Sequence, residues 1–422
     1  MKMEISMNSN RKKRKILYIP AFDCSDYSNH AGGHTCNFYL TSLFNDERFD
    51  LRYSTFDSWE VHACENMKVQ YGIEQNIEIK LGFLQRYFYN ILTFLLKKIY
   101  IFLSSFFKFQ LISISFLSEY PFKLYIKKVI KHMLHEGLPD LVILDWTQTN
   151  IWAFLIKRKF PNLKIVSIEQ DVSFLRVSRS YPKKTNLIDA VKKREINSLK
   201  LSDLTVLFNK KDCLLVAPYI EKDKILIVPP FFHRYGRQNR SFDNVDGILF
   251  FGAMNRYENI EAVKYFLNEI FVSLKHKMKI KFYCVGAGIS EEVKDKYESY
   301  NVIFTGFVRD PSVYFEKSFC MVAPLFHGAG IKVKVLEGLA AGLPIVTNDL
   351  GIEGIPAIDK YHFILCKKKE DYIEEIDNLF ENRGKCSYYS KNALDFIESN
   401  YNLNKSANEF KASILKLTDD MH

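Results

Sequence analysis

At 422 residues, 47% of them apolar and 26% charged, the chain has room for two domains with cores of their own and does not have the composition of a disordered polymer. Its 59 basic residues against 49 acidic ones leave a net charge of +10, which suits nucleic acid, an anionic membrane face or anionic small molecules. No C2H2 spacing, RNP-like stretch or helix-turn-helix pattern accompanies that charge, so nucleic acid is set aside.

The eight cysteines (Cys24, Cys36, Cys64, Cys213, Cys284, Cys320, Cys366, Cys386) are dispersed and form no Cys-x-x-Cys pair. The pattern argues against a zinc site and a disulfide framework, and for reduced, mostly buried thiols in a cytosolic protein. The basic cluster Arg11–Lys15 leads into an apolar run, Ile16–Phe22, that contains Pro20 and is too short for an export core. It reads as a first buried strand, Lys15–Ile19, and no signal peptide is assigned.

A polar loop follows, and then an apolar helix from about Cys36 to Phe44. Gly32 and Gly33 at this strand-to-helix turn allow backbone to wrap a phosphate or a sugar, with an ordinary turn as the alternative. His34 is either a contact in the same loop or a surface histidine. The stretch 83–125 is dense in Phe, Tyr, Leu and Ile, but Lys97, Lys98, Lys108 and Glu119 leave no run able to span a bilayer. Two readings stay open: buried helices, or an amphipathic surface lying in the membrane interface.

From Leu138 strands alternate with helices: strand Leu141–Leu144, helix Ile151–Arg158, strand Lys164–Ile168, a loop through Arg179, helix Leu187–Leu199, strand Leu204–Phe208 and strand Ile225–Val228. The alternation predicts a parallel sheet whose ligands sit beyond the strands' carboxyl ends, where Asp145 and Glu169-Gln170-Asp171 fall. Helix capping or pairing with an arginine is the commoner fate of a carboxylate there. After Pro229-Pro230, a polar, Arg-rich segment reads as an interdomain linker.

A second α/β series begins with strand Gly247–Phe251 and a helix with apolar residues from Ile260 to Leu274. Strand Lys279–Val285 ends at Gly286, and strand Val302–Thr305 ends at Gly306-Phe307. Met321–Ala323 closes a strand before a loop with Gly328 and Gly330, a helix stopped by Gly342 and Pro344, and a strand to Thr347. Gly330, Lys334 and Glu337 are spaced i, i+4, i+7 on one face of the predicted helix, roughly 10 Å end to end at about 1.5 Å per residue. That spacing suits a nucleoside diphosphate, with phosphates at the helix amino end and ribose at Glu337. A solvated salt bridge between Lys334 and Glu337 is the competing reading. Helices near Asp371–Phe380 and Tyr388–Leu417 close the chain.

The stretches ILFFGAMNRYENIEAVKYFLNEI, FYCVGAG, VIFTGFVRD and APLFHGAGIKVKVLEGLAAGLPIVTNDLGIEG together resemble the donor-binding half of retaining family 4 glycosyltransferases (glycosyl transferases group 1). The subgroup signature G-x-G-I-K-x-K-V-L-E-x-x-A-x-G-L-P is present. The resemblance implies an α/β GT-B fold, with two Rossmann-like parallel-sheet domains facing across a cleft. The division it suggests is 1–231 for the acceptor side, 232–246 for the linker, 247–400 for the nucleotide-sugar domain, and 401–422 for a terminal helix that crosses back.

The resemblance also implies donor contacts at Gly32, Gly33, Gly286, Gly306, Phe307, His327, Gly328, Gly330, Ile331, Lys332, Lys334 and Glu337. Lys334, Glu337 and Asp171 stand nearest the chemistry. The implied partners are a nucleotide-sugar donor and a saccharide or lipid-linked acceptor in surface polysaccharide or glycolipid synthesis. No cofactor or metal is expected, and the chain has no Asp-x-Asp motif. The implied location is cytoplasmic, with contact to an anionic inner membrane face left open.

Two positions depart from the broader family. Its Glu-x7-Glu pattern meets Ala329 at the first position, and its Arg and Lys after the first strand of the second domain meet Ala253 and Glu258, with Arg256 nearby. The first departure leaves the donor sugar open. Two alternatives stay in view: a GT-B-shaped nucleotide-sugar epimerase or hydrolase, and a non-catalytic scaffold subunit, which Ala329 supports.

Overall fold

The computed structural model describes residues 13–21, 24, 31–56, 76–79, 114–236, 240–297 and 301–419. Short apolar runs bounded by Gly, Pro and Asp form strands that are buried on both faces in the middle of each sheet, as parallel sheets covered by helices require. The first sheet holds β1 (Arg14–Pro20), β2 (Phe49–Phe56), β3 (Asn76–Ile79), β4 (Leu141–Asp145), β5 (Lys164–Glu169), β6 (Leu204–Leu207) and β7 (Ile225–Ile227), in the order β3-β2-β1-β4-β5-β6-β7. The second holds β8 (Gly247–Phe251), β9 (Lys281–Val285), β10 (Val302–Gly306), β11 (Ser318–Ala323), β12 (Ile345–Thr347) and β13 (Ile364–Leu365), in the order β10-β9-β8-β11-β12-β13. Every pairing within the two sheets is parallel.

Both sheets are Rossmann-like. Strand order reverses between β1 and β4 in one and between β8 and β11 in the other, and the loops beyond those carboxyl ends open a crevice. The helices that shape these loops are α1 (Ala31–Phe44), α2 (Ile114–Glu136), α3 (Ser173–Ser180), α4 (Thr185–Leu199), α5 (Tyr257–Tyr265), α6 (Val333–Ala340), α7 (Arg383–Asn400) and α8 (Leu403–Asp419).

Several local readings change. The helix expected from Cys36 begins at Ala31, so Gly32, Gly33 and His34 form the first turn of α1 and do not lie in a loop before it. The buried apolar positions Cys36, Tyr39, Leu40 and Leu43 mark the helix only from its first core contact. The loop expected through Arg179 is α3, whose first N–H groups are capped from α4 and not from their own sequence. The long terminal helix breaks at Tyr401-Asn402 into α7 and α8. Helix α8 packs on the first sheet's side: the Phe410 ring lies 5.0 Å from Tyr39, and Lys411 pairs with Asp46 at 3.4 Å.

The cysteine expectation is corrected at one pair. Cys24 and Cys36 form a disulfide, their Cα atoms 5.5 Å apart, within the range that a bridge requires. A separation of 12 residues carries no local signature of that approach. Cys284, Cys320, Cys366 and Cys386 are buried free thiols, and Cys213 is half-buried.

Among the described residues no helix is long and apolar enough to cross a membrane. Arg11 and Lys12 of the basic cluster, and 83–113 of the aromatic stretch, lie outside the described residues. The remainder of that stretch belongs to α2, where Tyr125 is buried and donates to Ser54 Oγ at 2.8 Å.

Candidate active site

The turn after β11 is built from glycine. Gly328 (φ 105°) and Gly330 (φ 68°) take left-handed conformations that side chains disfavour. A Cβ on Gly330 would stand 2.9 Å from Asp171 Cβ in the first domain, so this loop touches the opposite wall of the cleft. Helix α6 starts only at Val333, with Lys332 as its N-cap. Gly330 therefore precedes the helix, and the predicted single face for Gly330, Lys334 and Glu337 does not form. Lys334 and Glu337, three residues apart, do share a face. Gly338 brings α6 down onto the sheet, since a Cβ there would meet Ile345 Cδ1 at 2.5 Å and Met321 Sδ at 2.7 Å.

Lys334 reaches back to the end of β8. Its ammonium donates to Asn259 Oδ1 and lies 4.9 Å from the centroid of the Phe250 ring. Asn259 is fixed in turn by donating to the Ala253 carbonyl at 2.7 Å. Burial, and then the nearby Arg256, pull the Lys334 ammonium down to about 7. Arg256 itself pairs with Glu258 at 2.5 Å. Glu337 is 6% exposed and accepts the His233 N–H at 3.4 Å. Burial pushes its carboxyl up to about 8, against the pull of the His233 N–H and Lys334.

His233 links this pair to the far side of the cleft. Its ring packs edge-on against His34 at 5.1 Å, bringing the first turn of α1 to the site. Gly32 has a packing role there: a Cβ would stand 2.2 Å from Trp146 Cζ2. Gly33 follows it in the same turn. Gly286 is likewise required by packing, since a Cβ would meet the Gly252 carbonyl oxygen at 1.9 Å. Gly306 (φ 67°) faces open space and accepts the Gly286 N–H at 3.1 Å, with Phe307 beside it 73% exposed. His327 is exposed and packs on Tyr257 at 5.0 Å. Ile331 packs against the cores of both domains.

Lys332 is turned away from the Lys334 face. Its ammonium donates to the carbonyls of Ala329 at 3.1 Å and Gly330 at 2.6 Å and lies 3.6 Å from Glu353, so it ties the glycine loop together. Burial and the neighbouring Arg179 lower it to about 8. Asp171 pairs with Arg176 at 3.3 Å. Sequence reasoning missed Asn259, Arg179, Lys211, Glu195 and Glu353. Of these, only Glu353, just after the strand that ends at Thr347, carried a local hint of placement.

Behind Asp171 lies a set of buried carboxyls. Asp145 accepts Tyr18 Oη at 2.7 Å and Gln170 Nε2 at 2.9 Å, and burial raises it to about 7. Glu195 accepts the N–H groups of Ser173 at 2.7 Å and Phe174 at 2.9 Å, capping α3. Glu169 accepts Asn150 Nδ2 at 2.8 Å and the Thr147 hydroxyl, and burial together with Glu195 holds it well above the ordinary carboxyl range.

A glycine loop, a lysine and a buried carboxyl thus come together at the switch point of a doubly wound sheet, the place where such sheets carry their ligands. Residues 246–382 match the family Glycosyl transferases group 1. An uncharacterized glycosyltransferase of Methanocaldococcus jannaschii is 22% identical over 305 residues, covering 65% of this chain and 74% of that protein. The structure is similar to sucrose-phosphate synthase of Thermosynechococcus elongatus, with TM-score 0.70 and 11% identity over 96% of this chain and 100% of that one. It is also similar to HepE of Anabaena in complex with UDP, with TM-score 0.65 and 12% identity over 95% and 100%. The family match supports a group 1 glycosyltransferase, and the structural likenesses show a GT-B fold. Lys332, Lys334, Glu337, Gly286, Gly306 and Phe307 lie inside the matched segment of the group 1 family, whereas Gly32, Gly33 and Asp171 lie outside it.

Proposed function

We propose that the chain is a retaining glycosyltransferase that moves a sugar from a nucleotide-sugar to a saccharide or lipid-linked acceptor, in surface polysaccharide or glycolipid synthesis. The observation that carries this reading is the pair Lys334 and Glu337 on one face of α6, the helix that follows the glycine loop at the carboxyl edge of the second sheet. HepE of Anabaena, of the same fold, is described in complex with UDP and with UDP-glucose, which supports a nucleotide-sugar donor here.

The diphosphate lies against the Gly328–Ile331 loop with Lys334 as its counter-ion, and the ribose hydroxyls meet Glu337. A carboxyl pushed to about 8 is largely protonated at neutral pH, so Glu337 both donates to and accepts from a hydroxyl. The base packs by Gly286, Gly306 and Phe307. His327 stands at the donor's edge, and Gly32 and Gly33 close over the donor from the first domain. Asp171 faces the reacting sugar from the opposite wall.

The acceptor oxygen forms its bond to the anomeric carbon on the face from which the diphosphate oxygen departs. The acceptor proton leaves with the diphosphate. Negative charge grows on that leaving group in the transition state, and a fixed cation beside it is worth most there. No divalent cation takes part in the scheme. Lys332 serves through the loop it holds and does not touch the donor. Ala329 offers no charge to the donor sugar, so backbone and Asp171 read that sugar. An anionic membrane surface is the proposed place of work.

The test is a thermal-shift panel of UDP-, GDP-, ADP-, TDP- and CMP-linked sugars in EDTA, because a ligand that binds only the folded state raises its melting temperature. One nucleotide class is expected to shift the wild type and to lose its effect in Lys334→Met. No shift from any donor, with or without added magnesium, overturns the reading in favour of a non-catalytic GT-B subunit.

A further inference from the structure

The charges between the two domains converge on one side chain. Glu353 lies on the turn after β12, its side chain only 7% exposed, and Arg179 of α3 reaches it across the cleft with both terminal nitrogens. Arg179 Nη1 donates at 2.7 Å to Oε2, and Nη2 meets Oε1. Lys211, from the first domain, also pairs with Glu353. Lys332, from the second, lies 3.6 Å from the same carboxylate. Three cations from two domains thus surround one buried anion.

The same cations hold the glycine loop. Arg179 Nη1 donates to the Gly328 carbonyl at 2.8 Å, and Lys332 donates to the next two carbonyls, Ala329 at 3.1 Å and Gly330 at 2.6 Å. The turn that carries Glu353 is pressed on the first domain as well: Gly354 has φ 78°, and a Cβ on it would stand 3.1 Å from Asn209 Cγ. The loop of left-handed glycines is thereby held by side chains from both domains.

We propose that Glu353 is a positioning residue: by gathering Arg179, Lys211 and Lys332 it shapes the Gly328–Gly330 loop and makes that shape conditional on closure of the first domain. The inference rests on the reading of this loop as the donor's diphosphate cradle. Glu353 touches no substrate. It acts through Arg179 and Lys332, so that an open enzyme has a slack cradle and a closed one a formed cradle. Such coupling delays productive donor binding until the acceptor side is in place, the usual advantage of closure in a group-transfer enzyme.

The experiment is amide hydrogen exchange of the peptide 324–337 in the full-length, ligand-free protein, for wild type, Glu353→Gln, Glu353→Asp, Arg179→Gln and the double variant Glu353→Gln/Arg179→Gln. Exchange at the Val335 and Leu336 amides, which donate to the Lys332 carbonyl where the loop enters α6, is expected to speed up by at least about tenfold in each Gln variant, since hydrogen bonds to charged groups contribute more than a tenfold factor each. Helices α5 and α7 should exchange as in wild type. Glu353→Asp keeps the charge and should recover most of the protection.

The double variant should be no looser than the looser single, because the two changes remove one shared interaction. Unchanged exchange in both single variants, or strictly additive loosening in the double, overturns the proposal. Should Glu353→Gln not fold, Arg179→Gln carries the test alone, its side chain being 29% exposed. Lys334→Met separates the two readings: it should lose affinity for UDP while its loop exchanges as in wild type. Retained UDP affinity in that variant would strike the donor site and leave the Glu353 coupling standing.

Discussion

Replacing Lys334 with methionine removes a cation from a place that disfavours it and keeps much of the side chain's apolar length. The ammonium is lowered from 10.5 to about 7, with burial as the first cause and Arg256 as the second. At about 1.4 kcal/mol per pH unit that fall corresponds to about 5 kcal/mol between the charged states in and out of the fold. Lys334 is only partly withdrawn from solvent, which reduces the cost to on the order of 2–3 kcal/mol.

The sign follows from proton counting. Between about 7 and 10.5 the unfolded chain binds a proton at Lys334 that the folded chain does not, so wild-type stability rises with pH through that window. Lys334→Met lacks this term. Its melting temperature should exceed that of wild type by several degrees below the lower bound, and the advantage should shrink as pH rises through the window. Scanning fluorimetry across the window, with and without the donor from the panel, measures both halves of the expectation. The variant should be more stable and should not respond to the donor, as expected where a residue is kept for function against its stability cost. A melting difference that is independent of pH would refute the buried-cation argument, and an undiminished donor shift would refute the phosphate role.

Gly330→Ala should destabilise by about 1–3 kcal/mol and open the cleft, since its φ of 68° and the 2.9 Å approach of a Cβ to Asp171 both oppose a side chain; denaturant midpoints and scattering-derived radii read the two effects. Glu195, raised from 4.5 to about 7 by burial, binds a proton in the fold that it lacks when unfolded, so its contribution is present at acid pH and lost as pH rises through that range. Glu195→Gln should flatten this decline in the urea midpoint, and an unchanged slope would count against it. Reductant should lower wild-type stability by about 2–3 kcal/mol, as for a short closed loop, and should leave the double variant Cys24→Ser/Cys36→Ser unaffected. Equal responses in thermal melts would exclude the bond.

Much of the scaffold was legible because its signals are local. Strand β8 is bounded as expected at Gly247–Phe251, and the apolar runs that became β4, β5 and β11 are short, wholly buried strands. Glycine and proline mark their ends, and the resemblance located α6 with Lys334 and Glu337 on it. Where helices begin was less legible. Apolar periodicity shows only the buried face, so α1 was read from Cys36 and α6 from Gly330, whereas the extended Lys332 (φ −92°, ψ 92°) and the left-handed glycines before it cannot continue a helix. The caps that decide such boundaries came from elsewhere, Glu195 for α3 among them.

What the sequence hid is what lies between the sheets. Arg179 and Glu353 are 174 positions apart and Lys334 and Asn259 are 75 apart, so no window of neighbouring residues contains either pair. Each residue read alone is an ordinary polar side chain on a helix or turn. Burial lowers Lys334 to about 7 and raises Glu337 to about 8 on one helix face, so each holds its charge less readily than in water, an arrangement that no local propensity favours. A diphosphate beside Lys334 would restore its charge and couple donor binding to proton uptake above neutral pH. The conflict between local preference and environment at these two positions therefore supports the proposed donor site independently of the motif.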